Sequence, residues 1–267
     1  MICQKRLFIA SFAFPLTDSP MNKKLFLFAC VFLFGVKCLA QGLIQTDRPD
    51  QTEGVFIVKK NTLQFESGYF HEVLNNRSSL RILPTSLIKY GVSENFEIQS
   101  QVDVSSSSGN FGLIPVSLGF KANLWKEKGI LPEFAVIGRV QLKNLGTKES
   151  RLTKNVPMVR LAFQNNLSPL FVLGYNLGVQ WSEFEKPSYI VSSSLNYHLN
   201  KKATLYAELF NETSTATFFN PIADLGAMVL VSKELIIDAS IGKYLNESKG
   251  SSFYYTLGLT TRLDFNK

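Results

Sequence analysis

The chain carries few side chains of the kinds that do covalent chemistry. Histidine occurs only at His71 and His198, and the three cysteines, Cys3, Cys30 and Cys38, all precede residue 41. Downstream of that point there is no disulfide, thiolate metal site or cysteine nucleophile. A hydrolytic site can be drawn around His198, because Ser194 and Asn196 share its face if this segment is a strand. A general base must sit beside both its nucleophile and its orienting partner. Positions i, i+2 and i+4 of a strand spread over roughly 13 Å, so the row is too linear for a triad. His71 is the other conceivable base. No glycine-rich phosphate loop, Cys/His metal cluster or nucleotide motif is present, so neither a cofactor nor a metal is expected.

The chemistry that remains is ionic. The segment Thr46-Asp47-Arg48-Pro49-Asp50-Gln51-Thr52-Glu53-Gly54 places Asp47, Arg48, Asp50 and Glu53 on a short stretch with Pro and Gly. It does not alternate and is not a strand. Whether it docks elsewhere in the fold or is a passive lead depends on the charges that the rest of the chain can offer it.

From residue 62 onward the sequence alternates apolar and polar residues with period two, so that successive side chains face opposite ways. Phe96, Ile98, Val102 and Val104 alternate with Glu97, Gln99, Gln101 and Asp103; Leu173, Tyr175, Leu177 and Val179 alternate with Gly174, Asn176, Gly178 and Gln180. About twelve such segments occur, near 62–72, 80–90, 95–104, 114–124, 132–142, 157–166, 170–181, 188–198, 203–211, 224–232, 235–244 and 253–265. Tight connectors, such as Gly91 to Glu94 and Lys233-Glu234, alternate with longer polar ones at 73–79, 105–113, 143–156, 182–187, 212–223 and 245–252. Strands of about ten residues, an even count, and turns that are short on one side and long on the other mark an outer-membrane barrel. The expected fold is therefore all-β: a transmembrane antiparallel up-and-down barrel of about twelve strands. A soluble β-sandwich is the rival, and it has no reason to alternate loop length. Tyr69, Tyr90, Trp125, Trp181, Tyr189, Tyr197 and Phe265 fall at segment ends, where aromatic girdles belong.

The start of the chain supports export. Met21-Asn22-Lys23-Lys24 is a positive n-region, Leu25 to Val36 is a twelve-residue apolar run, and Cys38-Leu39-Ala40 offers small residues for cleavage after Ala40. Residues 1–40 then comprise an upstream extension and a secretory signal peptide, with translation expected from Met21. Residues 41–61 form a periplasmic N-terminal segment and 62–267 the barrel. Leu27-Phe28-Ala29-Cys30 faintly resembles a lipobox, but Phe28 is bulky there and the apolar run continues beyond Cys30. The formal net charge of +7 owes much to Lys5, Arg6, Lys23, Lys24 and Lys37; without the first forty residues 23 basic residues face 20 acidic ones. That is no nucleic-acid footprint.

The motif at 46–54 resembles that of the outer-membrane β-barrel transporter family labelled meta-pathway of phenol degradation. Leu63-Gln64-Phe65-Glu66-Ser67-Gly68-Tyr69, Leu87-Ile88-Lys89-Tyr90-Gly91-Val92, Phe96-Glu97-Ile98 and Tyr175-Asn176-Leu177-Gly178 occur in family order. Lys89 stands where the family usually has Arg. The resemblance implies an outer-membrane barrel of a Gram-negative-type bacterium with a transport role for a small solute, apolar or aromatic. Outer-membrane lipid and the barrel-assembly machinery are the expected partners. The rival functions are a structural or surface-interaction barrel and a barrel-embedded lipid hydrolase.

Parity assigns the polar face. Glu66, Glu97, Asp103, Glu133, Glu208 and Asp238 should face the lumen with Arg81, Lys89, Lys121, Arg139, Arg160 and Arg262. Six acids facing six bases predict a cross-lumen network of ion pairs rather than a pore of one sign. Into it the 46–54 segment could insert as a plug, with Arg48 on a carboxylate such as Glu66 or Glu97 and Asp47 or Asp50 on Lys or Arg.

Overall fold

A computed structural model describes residues 44–73, 79–107, 110–183, 186–214, 221–245 and 253–266. The expected signal peptide and cleavage site lie outside these residues. Thirteen strands run in chain order: β1 (Thr62–Val73), β2 (Ser79–Ser93), β3 (Phe96–Ser107), β4 (Asn110–Leu113), β5 (Ser117–Trp125), β6 (Glu133–Gln141), β7 (Val156–Asn166), β8 (Phe171–Gln180), β9 (Ser188–His198), β10 (Ala203–Ser214), β11 (Ile222–Ser232), β12 (Leu235–Tyr244) and β13 (Phe253–Asp264). Neighbours in sequence pair antiparallel, except that β4 and β5 both pair with β3, and β13 returns to β1 over the full register from Thr62↔Asp264 to Val73↔Phe253. The pairing of β13 with β1 closes the sheet on itself, which limits the aggregation hazard of an open edge.

The barrel has twelve staves. β4 is the upper part of the fourth: it pairs with β3 from Val104↔Leu113, and β5 continues on β3 from Gln101↔Ser117. The break falls at Ile114-Pro115-Val116, where Pro115 has no N–H to give the ladder. A second irregularity lies between Ile82 and Thr85, where Leu83-Pro84 bulges out of β2. A bulge of this kind shifts which residues face inward beyond it.

The partition is inside-out relative to a soluble protein. Ile98, Leu118, Leu177, Val191, Leu209, Leu225, Ile241 and Leu257 are exposed on the outer wall, whereas Glu66, Lys89, Glu97, Lys121, Asn176 and Thr260 are buried within. An apolar outer band is what lipid selects. Aromatic rings meet across neighbouring strands, tilted for Trp125–Phe134 at 4.4 Å and stacked for Phe134–Phe163 at 4.8 Å and Phe163–Tyr175 at 5.2 Å between centroids. The short connectors, such as Glu94-Asn95 and Lys233-Glu234, lie at the end where β1 begins and β13 finishes. By the rule of short periplasmic turns this is the periplasmic end.

Candidate functional site

Residues 44–61 are not a lead outside the barrel. They form a hairpin within the lumen that enters and leaves at the periplasmic end. The ingoing limb is tied low on β1, where Gln64 Nε2 donates to the Gln45 carbonyl at 2.7 Å. The tip, Arg48 to Gln51, adjoins Phe70, Ile82 and Thr256, well above the turns. The outgoing limb descends past Val55, whose carbonyl accepts Asn123 Nδ2 at 2.9 Å, to Val58, whose N–H donates to Glu97 at 2.6 Å. Below it Asn61 N–H donates to the Gly91 carbonyl at 2.8 Å. Gly91 is required there, since a Cβ would collide with the carbonyl oxygens of Val58 and Lys59.

Each charged residue of the hairpin finds a distinct setting. Asp47 accepts Lys89 Nζ at 2.5 Å and Lys121 Nζ at 2.8 Å, and its Oδ1 accepts the Gly54 N–H at 2.8 Å, which closes the hairpin on itself. Lys89 also pairs with Glu66, which accepts the Asp47 N–H at 3.0 Å. Phe56 lies beneath both ammonium groups at 4.6 and 4.9 Å, within cation–π range. Burial alone would raise the Asp47 carboxyl, but the two lysines more than offset it and hold it well below the usual carboxylate range.

Glu53 sits on a guanidinium pair. Arg139 holds it in a fork at 2.7 and 2.5 Å, and Arg160 Nη1 approaches at 3.2 Å. Its backbone exchanges two hydrogen bonds with Asn176: Glu53 N–H donates to Oδ1 at 2.8 Å, and Nδ2 donates to the Glu53 carbonyl at 3.0 Å. Burial opposes ionisation of Glu53, and Arg139 and Arg160 override it to lower its pKa. Asp50 has no such cation. Burial and the neighbouring Glu208 raise its carboxyl well above the ordinary range, against a hydrogen bond from Ser194. Glu208 accepts the N–H groups of Gln51 at 2.9 Å and Thr52 at 2.6 Å, and the Thr52 hydroxyl at 2.5 Å.

Two expectations need correction. Arg48 does not meet Glu66 or Glu97; its guanidinium lies on Asp238 at 3.2 and 3.4 Å, in a space left by Gly68 and Gly258. Arg81 does not face the lumen. Beyond the Leu83-Pro84 bulge it is exposed and pairs with His71 on the outer wall.

The other assigned residues are placed inward. Asp103 accepts Gln101 Nε2 at 2.7 Å, Glu133 accepts Asn123 Nδ2 at 2.6 Å, and Arg262 donates to Glu234 at 2.5 Å near the turns. The sequence-derived set leaves out a deeply buried lumen acid. Asp224 is buried, accepts the Tyr206 hydroxyl at 2.7 Å, and also bonds Tyr254. Its parity with Gly226 and Met228 at the start of a strand was the available signal.

The lumen is therefore polarised across its width. Three consecutive staves, β5 to β7, supply Lys121, Arg139 and Arg160; β10 to β12 supply Glu208, Asp224 and Asp238. Neutral Asn176, Ser192 and Ser194 separate them on one side; on the other, β13 to β3 carry Thr260 and the mixed charges Glu66, Lys89, Glu97 and Asp103. The hairpin lies across this field in its favoured sense, with Asp47 and Glu53 toward the basic wall and Arg48 on the acidic one. Above it, toward the long loops, is a cavity of about 360 Å³, lined in part by Leu87, Gln101, Ser117, Val156, Met158 and Gln180.

Neither histidine sits in a hydrolytic arrangement. His71 Nδ1 lies between the Tyr69 and Tyr255 hydroxyls at 3.0 and 2.9 Å on the outer wall, and His198 Nδ1 meets Thr204 Oγ1 at 2.9 Å. Among the described residues no group of His, Cys, Asp and Glu could hold a metal ion.

Solved structures share this architecture. An outer-membrane channel from Pseudomonas putida F1 matches with a TM-score of 0.60 and 10% identity, over 78% of this chain and 98% of that one. A KdgM porin solved with disordered oligogalacturonate gives a TM-score of 0.54 at 13% identity, over 73% and 98%. A NanC porin gives 0.53 at 7%, over 75% and 100%. At these identities the likeness is one of fold. No curated protein matches the chain significantly. The family model described as "Putative MetA-pathway of phenol degradation" matches residues 46–263, from the first residues of the charged hairpin to the end of the last strand. With barrel, hairpin and sequence in agreement over that span, the chain belongs to this family of outer-membrane β-barrels.

Proposed function

We propose that the protein is an outer-membrane channel for a small solute, held shut by the hairpin of residues 44–58. The observation that carries this reading is the nature of the closure. The lumen is occupied by a segment outside the strand ladder, held chiefly by ion pairs and hydrogen bonds to strand side chains. Such contacts can be exchanged for water without breaking a strand pair. A structural barrel needs no separate insert, because side chains can fill a small lumen.

The fold shared with a channel and two porins supports the same reading. The family description, together with Leu87, Val156 and Met158 in the cavity wall, favours a solute with an apolar or aromatic body. The setting is the outer membrane of a Gram-negative-type bacterium, with outer-membrane lipid around the apolar band and the assembly machinery as a transient partner. Planar-bilayer recording of a variant lacking residues 46–54 tests the proposal. Conductance should rise while β-strand content is retained. A barrel that folds but stays silent with and without the hairpin is a structural or surface-interaction barrel.

A further inference from the structure

On the hairpin and the basic wall the ion pairs are not one to one, and the carboxylate that is shared borders the cavity. Asp47 and Glu66 are matched by Lys89 and Lys121, and Arg48 by Asp238. Among the described residues Glu53 is the carboxylate within ion-pair distance of both Arg139 and Arg160, with Asp47 and Glu97 adding longer-range attraction at Arg139. Arg139 takes the better share, in a two-pronged fork, and also donates to Gln99 Oε1 at 2.7 and 3.0 Å. Arg160 keeps the remainder. Its contacts with Gln51 O at 2.8 Å, Glu53 at 3.2 Å and Asn176 at 3.5 Å all run through Nη1. Its Nε is buried without a hydrogen-bond partner. A buried donor with no acceptor is costly, and a guanidinium presents a fixed fork suited to a carboxylate.

The surroundings of Arg160 define what it would hold. The arginines on the hairpin and basic wall show 12–14% of their side chains, whereas Glu53 shows 8% and Asp238 none. The arginines are thus slightly more accessible than the carboxylates they pair with. Gln101, Gln180 and Ser117 add neutral donors, and Val156 and Met158 add an apolar floor. Asp47, Glu53, Glu66 and Asp50 also border the cavity; the first three are ion-paired with Lys89, Lys121, Arg139 and Arg160, and the surroundings of Asp50 favour the protonated, neutral form. The acidic wall, Glu208, Asp224 and Asp238, does not line this cavity.

The geometry points to a binding site at Arg160, above the hairpin, for a small organic anion: a carboxylate on a compact apolar body. The carboxylate would take the free edge of the guanidinium, and the body would lie on Val156 and Met158. This deepens the channel proposal and rests on it only for what the bound anion does next.

Isothermal titration of the purified full-length barrel with benzoate tests the site, with benzyl alcohol as the neutral analogue of the same shape. Benzoate should bind at least tenfold more tightly than benzyl alcohol. Arg160→Gln should weaken benzoate at least tenfold, and Arg160→Lys should weaken it less. The comparison of the two ligands on the unaltered protein stands even if a variant fails to fold. Equal binding of the two ligands, no benzoate binding at millimolar concentration, or an unaltered affinity in folded Arg160→Gln would each overturn the site. The hairpin deletion keeps the two proposals apart. Conductance without benzoate binding sinks only the site; benzoate binding by a barrel that never conducts sinks only the channel.

Discussion

Replacing Glu53 by Gln is the sharpest perturbation of the closed state. Gln keeps the shape and one acceptor but removes the charge shared by Arg139 and Arg160, whose contacts with Glu53 span 2.5–3.2 Å. Breaking a buried ion pair from one side costs about 3–5 kcal/mol. The side chains retain 8–14% exposure and Gln still accepts one bond, so the lower end, about 3 kcal/mol, applies. In the open state Glu53 and both arginines are hydrated, so most of this cost falls on the closed state. At about 1.4 kcal/mol per factor of ten, the open-to-closed ratio should rise roughly 100-fold. Single-channel recording in planar bilayers reads that ratio directly. Because Glu53 lies outside every strand ladder, cooperative melting of the barrel should change far less than the gating does. An open probability within threefold of the unaltered protein would show that the fork does not hold the hairpin.

Asp50 gives a pH dependence with a definite sign. Its carboxyl is raised when docked and returns toward 3.8 when free. Its contribution to closure is full below pH 3.8 and is lost as pH rises toward its docked value. Asp50→Asn, which imitates the protonated acid, should lower open probability at pH 7 and flatten its rise with pH between 4 and 7; an unchanged profile would refute the assignment. Val102→Arg should cost about 2–4 kcal/mol in vesicle folding titrations, because position 102 faces lipid, and Gln101→Arg much less; equal costs would mean the inward and outward faces of β3 are misassigned. Gly91→Ala sets a Cβ against the Val58 and Lys59 carbonyls. It should destabilise the folded barrel by about 1–3 kcal/mol, read as a lower melting temperature, and an unshifted melt would show that the outgoing limb yields easily.

The barrel was legible because its rules are local. Period-two alternation set the staves, and alternating connector lengths set the two ends. Parity identified most lumen charges without knowledge of any partner. It failed at Arg81, where Leu83-Pro84 adds a residue to β2 and reverses the faces beyond it. Pro84 inside an alternating run was the warning, since proline in a strand marks an edge or a bulge. The pairing of Arg48 was illegible for a different reason. Glu66 and Asp238 both face inward, but the choice depends on where the hairpin crosses the lumen and on the room that Gly68 and Gly258 leave for the guanidinium. No spacing along the chain encodes that. The insertion itself was foreseeable only as one of two fates for a charged segment, because docking depends on the whole set of receptors across the lumen.

The foot of the hairpin is clasped by the other end of the chain. Lys59 Nζ meets Asp264 at 3.0 Å, Phe265 N–H donates to the Asn61 carbonyl at 3.0 Å, and Asn266 Nδ2 donates to the Lys60 carbonyl at 2.7 Å. This clasp cannot form until β13 lies against β1, since residues 264–266 reach residues 59–61 only through that seam. The clasp is therefore a reporter of closure: it exists only once the first and last strands have met, whereas the anchors of the same limb on Gly91, Glu97 and Asn123 do not depend on that seam. The foot of the hairpin thus couples the insert to the joint between the two ends of the chain, so that loosening the joint frees the base of the outgoing limb.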